Sequence, residues 1–227
     1  MKAILLCAGK GTRLKPYTNS IPKCLMPIKG RPLLDIWFEN LIDSGIEEFL
    51  INTHHLSNVV DEYLLTSKYR DRITVIYEEN LLGTAGTLIS NLDFYGDDSG
   101  LLIHADNYCQ EKIENLIEAY HSRPKNCEIT LMSFRSAQPS SCGILEVSTN
   151  NVVTKIYEKI PNPPGNLANG AVYIISKNIF KNLKENYKYA KEFTTDILKD
   201  FEGRINSFET SDIFVDIGTK ENYLSVS

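Results

Sequence analysis

The sequence predicts an α/β protein with a largely parallel sheet, on three observations. Short β-rich apolar runs alternate with helical patterns through the first half of the chain. The first run, Lys2–Cys7, stops abruptly at a small cationic loop, Gly9-Lys10-Gly11-Thr12-Arg13. The second half then changes character, with strands separated by turn residues and little helix between them.

Lys2–Cys7 reads as a buried strand, and Leu33–Ser44 as a helix because Leu33, Leu34, Trp37, Phe38, Leu41 and Ile42 share one face. Trp37 and Phe38 are therefore core or interface residues. Gly45 ends that helix, and Glu48–Thr53 makes the next strand. Asn58–Leu65 is helical, Ile73–Glu78 a strand, Thr84–Leu92 a helix, Leu101–Ala105 a strand and Glu111–Tyr120 a helix. That alternation calls for helices on both faces of the sheet. Glu128–Phe134, Gly143–Val147, Val153–Tyr157 and Val172–Ile175 then follow as strands. Asn150-Asn151 is a hairpin turn, and Pro161–Gly165 and Asp97-Asp98 are loops. Helices return at Lys177–Glu185 and Thr194–Asp200, strands at Ile205–Glu209 and Ile213–Asp216, and a last helix starts at Thr219.

Composition narrows the function. A formal net charge of -5, with no basic cluster long enough to follow a nucleic-acid backbone, argues against nucleic acid as a partner. The five cysteines form no C-x-x-C pair, which points to a reducing compartment and away from structural zinc. The apolar run Ala3–Ala8 is too short for a signal-peptide core, and nothing approaches the ~20 apolar residues of a membrane span. A cytoplasmic location is expected. His54-His55 is declined as a metal site because adjacent side chains on an extended chain point to opposite faces. His104 reads as a strand residue.

A strand feeding a glycine-rich cationic loop implies that a phosphate is held. The dinucleotide fingerprint G-x-G-x-x-G fails, because Leu14 stands where its third glycine belongs. The Walker pattern fails as well, because Gly11 follows Gly9-Lys10 and Ile4 occupies the upstream glycine position. What remains is Ala8-Gly9-x-Gly11-Thr12-Arg13-Leu14 followed by Pro22-Lys23. Glycines let backbone N–H groups approach a polyphosphate, and Arg13 and Lys23 supply cations.

Over its first thirty or so residues, LLCAGKGTRLKPYTNSIPKCLMPIKGRPLL, the chain closely resembles the nucleoside-triphosphate:sugar-1-phosphate nucleotidyltransferases, and it is similar to their short mannose- and heptose-phosphate guanylyltransferases. The resemblance continues through LLGTAG (Leu81–Gly86), the strand ending at Asp106, Cys142-Gly143, Glu158-Lys159, Asn169 and FVDIGTKENYL. It implies a Rossmann-like three-layer α/β/α nucleotidyltransferase fold with a mixed, mostly parallel central sheet. It further implies a single domain over 1–227, with 1–125 mainly handling nucleotide and 126–227 mainly handling sugar.

The implied partners are an NTP and a sugar 1-phosphate, and the implied cofactor is Mg2+ on Asp106 and Asp216. Arg13 would hold the β- and γ-phosphates, Lys23 the α-phosphate and Lys159 the sugar phosphate. Leu6, Ala8, Gly9, Gly11, Thr12, Arg13, Gly83 and Thr84 would face the nucleotide. Gly143, Glu158 and Asn169 would read sugar hydroxyls. Taken alone, a strand-terminal Asp is more often a cap or a solvated group, and Arg13, Lys23 and Glu158-Lys159 could be plain surface charges.

Two departures from the family pattern stand out. Ala105 replaces a glycine before the metal aspartate, and Cys142 replaces an aromatic at the sugar pocket. GTP is the implied donor, with Glu78 or Glu79 as partners for guanine N1 and N2; UTP or dTTP stays open. Since nothing follows residue 227, the transfer reaction alone is expected, in a monomer or homodimer. The rivals are a non-catalytic sugar-nucleotide-binding regulator and a glycosyltransferase, and the latter lacks its D-x-D at Asp106-Asn107-Tyr108.

Overall fold

The computed structural model describes all 227 residues. In chain order the elements are β1 (Lys2–Leu6), β2 (Pro27–Ile28), β3 (Arg31–Pro32), α1 (Leu33–Asp43), β4 (Phe49–Thr53), α2 (Ser57–Thr66), β5 (Ile73–Tyr77), α3 (Gly83–Ser90), β6 (Gly100–His104), β7 (Asn107–Cys109) and α4 (Ile113–Ser122). Then come β8 (Ile129–Arg135), β9 (Gly143–Val147), β10 (Val153–Glu158), β11 (Leu167–Ile175), α5 (Phe180–Asn186), β12 (Ile205–Glu209), β13 (Phe214–Asp216) and α6 (Lys220–Leu224). The protein is α/β with a mixed, mostly parallel central sheet.

Two compact units interleave along the chain. The first is Lys2–Leu81, Ile103–Ile113 and Asp212–Ser227; the second is Met1, Leu82–Leu102 and Glu114–Ser211. Neither coincides with 1–125 or 126–227, because the chain leaves the first unit and returns to it twice.

In the first unit β1, β4 and β5 run parallel, registering Ala3 with Phe49 and Phe49 with Ile73. All of β4 and the centre of β1 are buried, as continuous apolar runs in a covered parallel sheet should be. Helix α1 buries the predicted face, and the Phe38 ring lies 5.0 Å from Phe49 of β4 and 5.1 Å from Tyr69. Fully burying a side chain of that size stabilises by about 1.5–3 kcal/mol. Gly45 closes the helix, donating to the Ile42 carbonyl at φ 79°.

In the second unit β8 pairs antiparallel with β11 and parallel with β12, and β9 and β10 form a hairpin. The hairpin turns where predicted, with Asn151 at φ 58°. Strand β11 is much longer than the expected Val172–Ile175. It starts at Leu167 and carries a bulge between Asn169 and Tyr173, with Ala171 at φ 54°. The expected helix at Thr194–Asp200 is instead a π-helical turn, Phe193–Ile197, running into a 3-10 turn, Leu198–Phe201.

No helix is long and apolar enough to cross a membrane. All five cysteines are free thiols. Burial pushes the Cys7 thiol well up, helped by its neighbour Cys24, and pushes Cys109 up to about 12.

Candidate functional site

The first unit builds its site on the stretch between β1 and β2. Here Gly11, at φ 61°, leads into a 3-10 turn, Thr12–Leu14, and two more such turns follow at Tyr17–Asn19 and Lys23–Leu25. A Cβ on Gly11 would meet Thr18 Cγ2 at 2.7 Å and Lys23 Cγ at 3.0 Å, so both the backbone angle and the packing require glycine. Around Gly9 there is open space. Leu6 is half-buried, Ala8 buried, and Thr12 and Arg13 are more exposed.

The path of this loop is fixed from behind. The Thr18 hydroxyl donates to the Gly11 carbonyl at 2.7 Å, and His55 Nε2 bonds the Thr18 carbonyl at 3.1 Å. At the loop entry the Cys7 N–H donates to Asn52 Oδ1 at 2.8 Å, and Asn52 donates to Glu78 Oε1 at 2.9 Å. His54 bonds the Glu78 carbonyl at 2.9 Å. The histidine pair therefore braces backbone. Glu78, named above as a guanine partner, is buried with its carboxylate accepting from Asn52, whereas Glu79 is exposed.

Two carboxylates meet this loop. Asp106 lies in the turn between β6 and β7, and Asp216 ends β13, which pairs antiparallel with β7 so that Asp216 registers with Asn107. The Lys23 ammonium bonds Asp106 Oδ2 and lies 3.9 Å from Asp216 Oδ1. A Cβ on Gly218 would lie 2.8 Å from Asp216 Oδ1 and 3.0 Å from Arg13 Nη2. Arg13 and Asp216 thus converge on one point, and all four charged candidates cluster. Burial pushes the Asp106 carboxyl up, but Lys23 and His104 outweigh it and hold the group below its ordinary value.

Supports the sequence did not reveal surround these aspartates. Trp37 Nε1 donates to the Asn107 carbonyl at 2.9 Å, and Asn40 bonds the Glu111 carbonyl and the Ile113 N–H. Helix α1 therefore pins the whole segment that carries Asp106. Asn222 on α6 donates to the Asp216 carbonyl at 2.9 Å, and Tyr223 donates to the Pro27 carbonyl at 3.0 Å. The only sequence cue was the run after Asp216, in which Gly218 and a capping Thr219 precede Asn222.

The second unit holds the remaining candidates. Glu158 of β10 registers with Gly143 of β9, and a Cβ on Gly143 would come 2.5 Å from Glu158 Oε2 and 3.8 Å from Asn169 Cβ. Lys159, at φ 49°, donates its N–H to the Cys142 carbonyl, and its ammonium lies 3.1 Å from Glu158 Oε1. Asn169 sits at the β11 bulge, accepting from the Ala171 N–H and donating to the Tyr173 hydroxyl at 2.9 Å. Burial pushes the Tyr173 phenol up to about 12. Gly143, Glu158, Lys159 and Asn169 therefore form one cluster.

Gly83 and Thr84 open α3 in the same unit. Gly83 has φ 80°, and a Cβ there would lie 2.4 Å from the Lys191 carbonyl oxygen. Thr84 Oγ1 accepts from the Phe193 N–H at 2.7 Å and donates to Glu192. Both residues are tied to the segment 191–193.

A Mg2+ ion suits the donor set of the first cluster. Two carboxylates already share one cationic group, and Mg2+ takes one or two protein carboxylates and completes its shell with phosphate and water.

This constellation places a glycine loop, two cations and paired aspartates at the ends of strands of an α/β sheet. A profile described as nucleotidyl transferase matches residues 2–227, and the chain belongs to that family. It is 30% identical over 225 residues to the D-glycero-alpha-D-manno-heptose 1-phosphate guanylyltransferase of Campylobacter jejuni, covering 98% of this chain and 97% of that protein. It is 33% identical over 187 residues to the low-salt glycan biosynthesis nucleotidyltransferase Agl11 of Haloferax volcanii, covering 82% of this chain. It spans 52% of that protein's length and 62% of a putative mannose-1-phosphate guanyltransferase from Sulfolobus acidocaldarius. Among solved structures, HddC from Yersinia pseudotuberculosis complexed with GMP-PN shares the fold. Its TM-score is 0.82 at 24% identity, covering 99% of this chain and 97% of that one.

Proposed function

We propose that this chain transfers a nucleoside monophosphate from an NTP to a sugar 1-phosphate, releasing pyrophosphate. The observation that carries the reading is the convergence of Arg13 and Lys23 with Asp106 and Asp216 beside the glycine loop. The reaction joins two polyanions, so most of the catalysis is charge neutralisation and positioning.

Backbone N–H groups at Ala8, Gly9 and Gly11 cradle the triphosphate, with Leu6 and Thr12 at its edges. Arg13 holds the β- and γ-phosphates and stabilises the departing pyrophosphate, while Lys23 bears on the α-phosphate. Gly83 and Thr84 bound the nucleotide from α3. Lys159 holds the sugar phosphate, and Gly143, Glu158 and Asn169 read hydroxyls. Asp106 and Asp216 hold Mg2+, which when bound draws charge from the phosphate oxygens. No side-chain nucleophile or general base is needed, because the attacking phosphate is already ionised.

GTP is the favoured donor, supported by the guanylyltransferase names among the relatives. UTP and dTTP are the alternatives, since a structure titled as a putative glucose-1-phosphate thymidylyltransferase and another titled as a UDP-glucose pyrophosphorylase share the fold. Supply of an activated sugar for surface polysaccharide or glycoconjugate synthesis, in the cytoplasm, is the role this reading carries.

The test is pyrophosphate release with Mg2+, crossing four NTPs with the 1-phosphates of mannose, glucose, their N-acetylamino forms and heptose. Release from one pair names base and sugar together. Nucleotide binding with no release from any pair favours the non-catalytic regulator.

A further inference from the structure

Strand β5 ends its sheet: it is hydrogen-bonded to β4 and to nothing on its other side. Because the Glu78 N–H donates to the Thr53 carbonyl, the residues at 74, 76 and 78 direct their backbone groups toward β4. Ile73, Val75 and Tyr77 therefore direct theirs outward. The Ile73 N–H is taken by the Arg70 carbonyl, which leaves the Ile73 carbonyl and both groups of Val75 and Tyr77 along the edge. Their side chains share one sheet face, where Val75 is 40% and Tyr77 63% exposed.

Open edges are ordinarily blunted by lysine, proline or a bulge, because unpaired N–H and C=O rows recruit other strands. The run Ile73-Thr74-Val75-Ile76-Tyr77 carries none of these, and its β-branched and aromatic residues favour pairing.

We propose that this edge is a two-fold interface between copies of this chain, with β5 pairing antiparallel to β5 of a second copy and Val75 opposite itself. Two features select a second copy as the occupant. The apolar pattern is symmetric about Val75, so this register sets Tyr77 against Ile73 of the copy and Val75 against Val75 on the same face. Slipping by two residues sets Tyr77 against Asp71, or Ile73 against Glu79, instead. The charges flanking the strand also have opposite sign. Lys68, Arg70 and Arg72 precede it, tempered by Glu39 at 3.4 Å from Lys68, Asp71 at 3.7 Å from Arg70 and Glu47 at 3.3 Å from Arg72, while the exposed Glu79 follows it, Glu78 being buried against Asn52. Antiparallel pairing brings the cationic approach of one copy beside the acidic exit of the other, as an isologous interface demands.

The Val75 N–H and carbonyl bond their counterparts, and the Tyr77 N–H donates to the Ile73 carbonyl of the copy, each twice by symmetry. Sedimentation equilibrium of this 227-residue chain tests the interface, with wild type expected at twice the 25.7 kDa chain mass. Val75→Lys places two like charges face to face and is expected to weaken the dimer at least about tenfold. A second assay covers the case in which that variant misfolds. In a Cys142→Ser background, Val75→Cys should form an interchain disulfide on treatment with diamide, which takes up the two thiol hydrogens, while Thr74→Cys, opposite Ile76, should not. A wild type that stays monomeric up to ~100 µM, well above the micromolar affinities of weak complexes, overturns the proposal. So does a dimer that is indifferent to Val75→Lys and gives no cross-link from Val75→Cys.

Discussion

Lys23 meets Asp106 across 83 residues of chain, whereas Gly143 meets Glu158 across one hairpin. The two clusters also differ in how their charges are balanced. In the first unit cations and carboxylates are set against each other beside open space at Gly9. In the second, two of the four residues, Gly143 and Asn169, are uncharged, and Lys159 is neutralised by its neighbour Glu158. The contrast supports the division of labour proposed above. A cluster of opposed charges is suited to holding polyphosphate and a metal ion, and a satisfied polar cluster is suited to telling one hydroxyl pattern from another.

That division is broken or sharpened by substitution. The largest effect belongs to Asp106→Asn and Asp216→Asn, each of which keeps side-chain shape and removes charge. Pyrophosphate release should fall by about 10²–10³-fold, with thermal unfolding within a few degrees of wild type. Full turnover in either variant removes the metal assignment. Next, Gly143→Ala drives a methyl into Glu158 Oε2 and should raise KM for the sugar phosphate by about tenfold. KM for the nucleotide should stay unchanged; an equal rise in both would erase the division. Gly83→Ala, strained at φ 80° and closed off by the Lys191 carbonyl, should cost about 1–3 kcal/mol. Calorimetry should then show a midpoint lower by about 2–4 °C per kcal/mol. Smallest is Thr18→Val, which removes one hydrogen bond worth about 1 kcal/mol from the Gly11 carbonyl. A few-fold rise in nucleotide KM is expected, restored by Thr18→Ser; if Thr18→Ser behaves like Thr18→Val, the brace is not the hydroxyl.

The same contrast explains what could be read in advance. Strands β1, β4 and β5, helix α1 and the β9–β10 hairpin follow from local periodicity and turn residues, and they lie within a residue or two of expectation. Strand β11 extends five residues before the expected Val172 because the chain passes Asn169-Gly170 as a bulge, where strand alternation is interrupted. The three-residue β7 and the β2–β3 pair are too short to leave a periodic signal. Arg13, Lys23, Asp106 and Asp216 were visible as motif positions, but their supports were not. Nothing local in Trp37, Asn40, His55 or Asn222 announces that each will bond backbone in a distant segment. The interleaving of the units escapes a linear reading for the same reason.

The bond from Tyr223 to the Pro27 carbonyl joins positions 196 residues apart. On a translating ribosome the glycine loop therefore emerges long before Asp216 and the helix that steadies it. At roughly 5–20 residues per second, Arg13 and Lys23 wait on the order of ten seconds or more for their second carboxylate. A nascent chain in that interval presents a cationic loop lacking both carboxylates until Asp106 emerges and one of them thereafter. The order of synthesis thus completes the cluster only when Asp216 has emerged, long after the loop it serves.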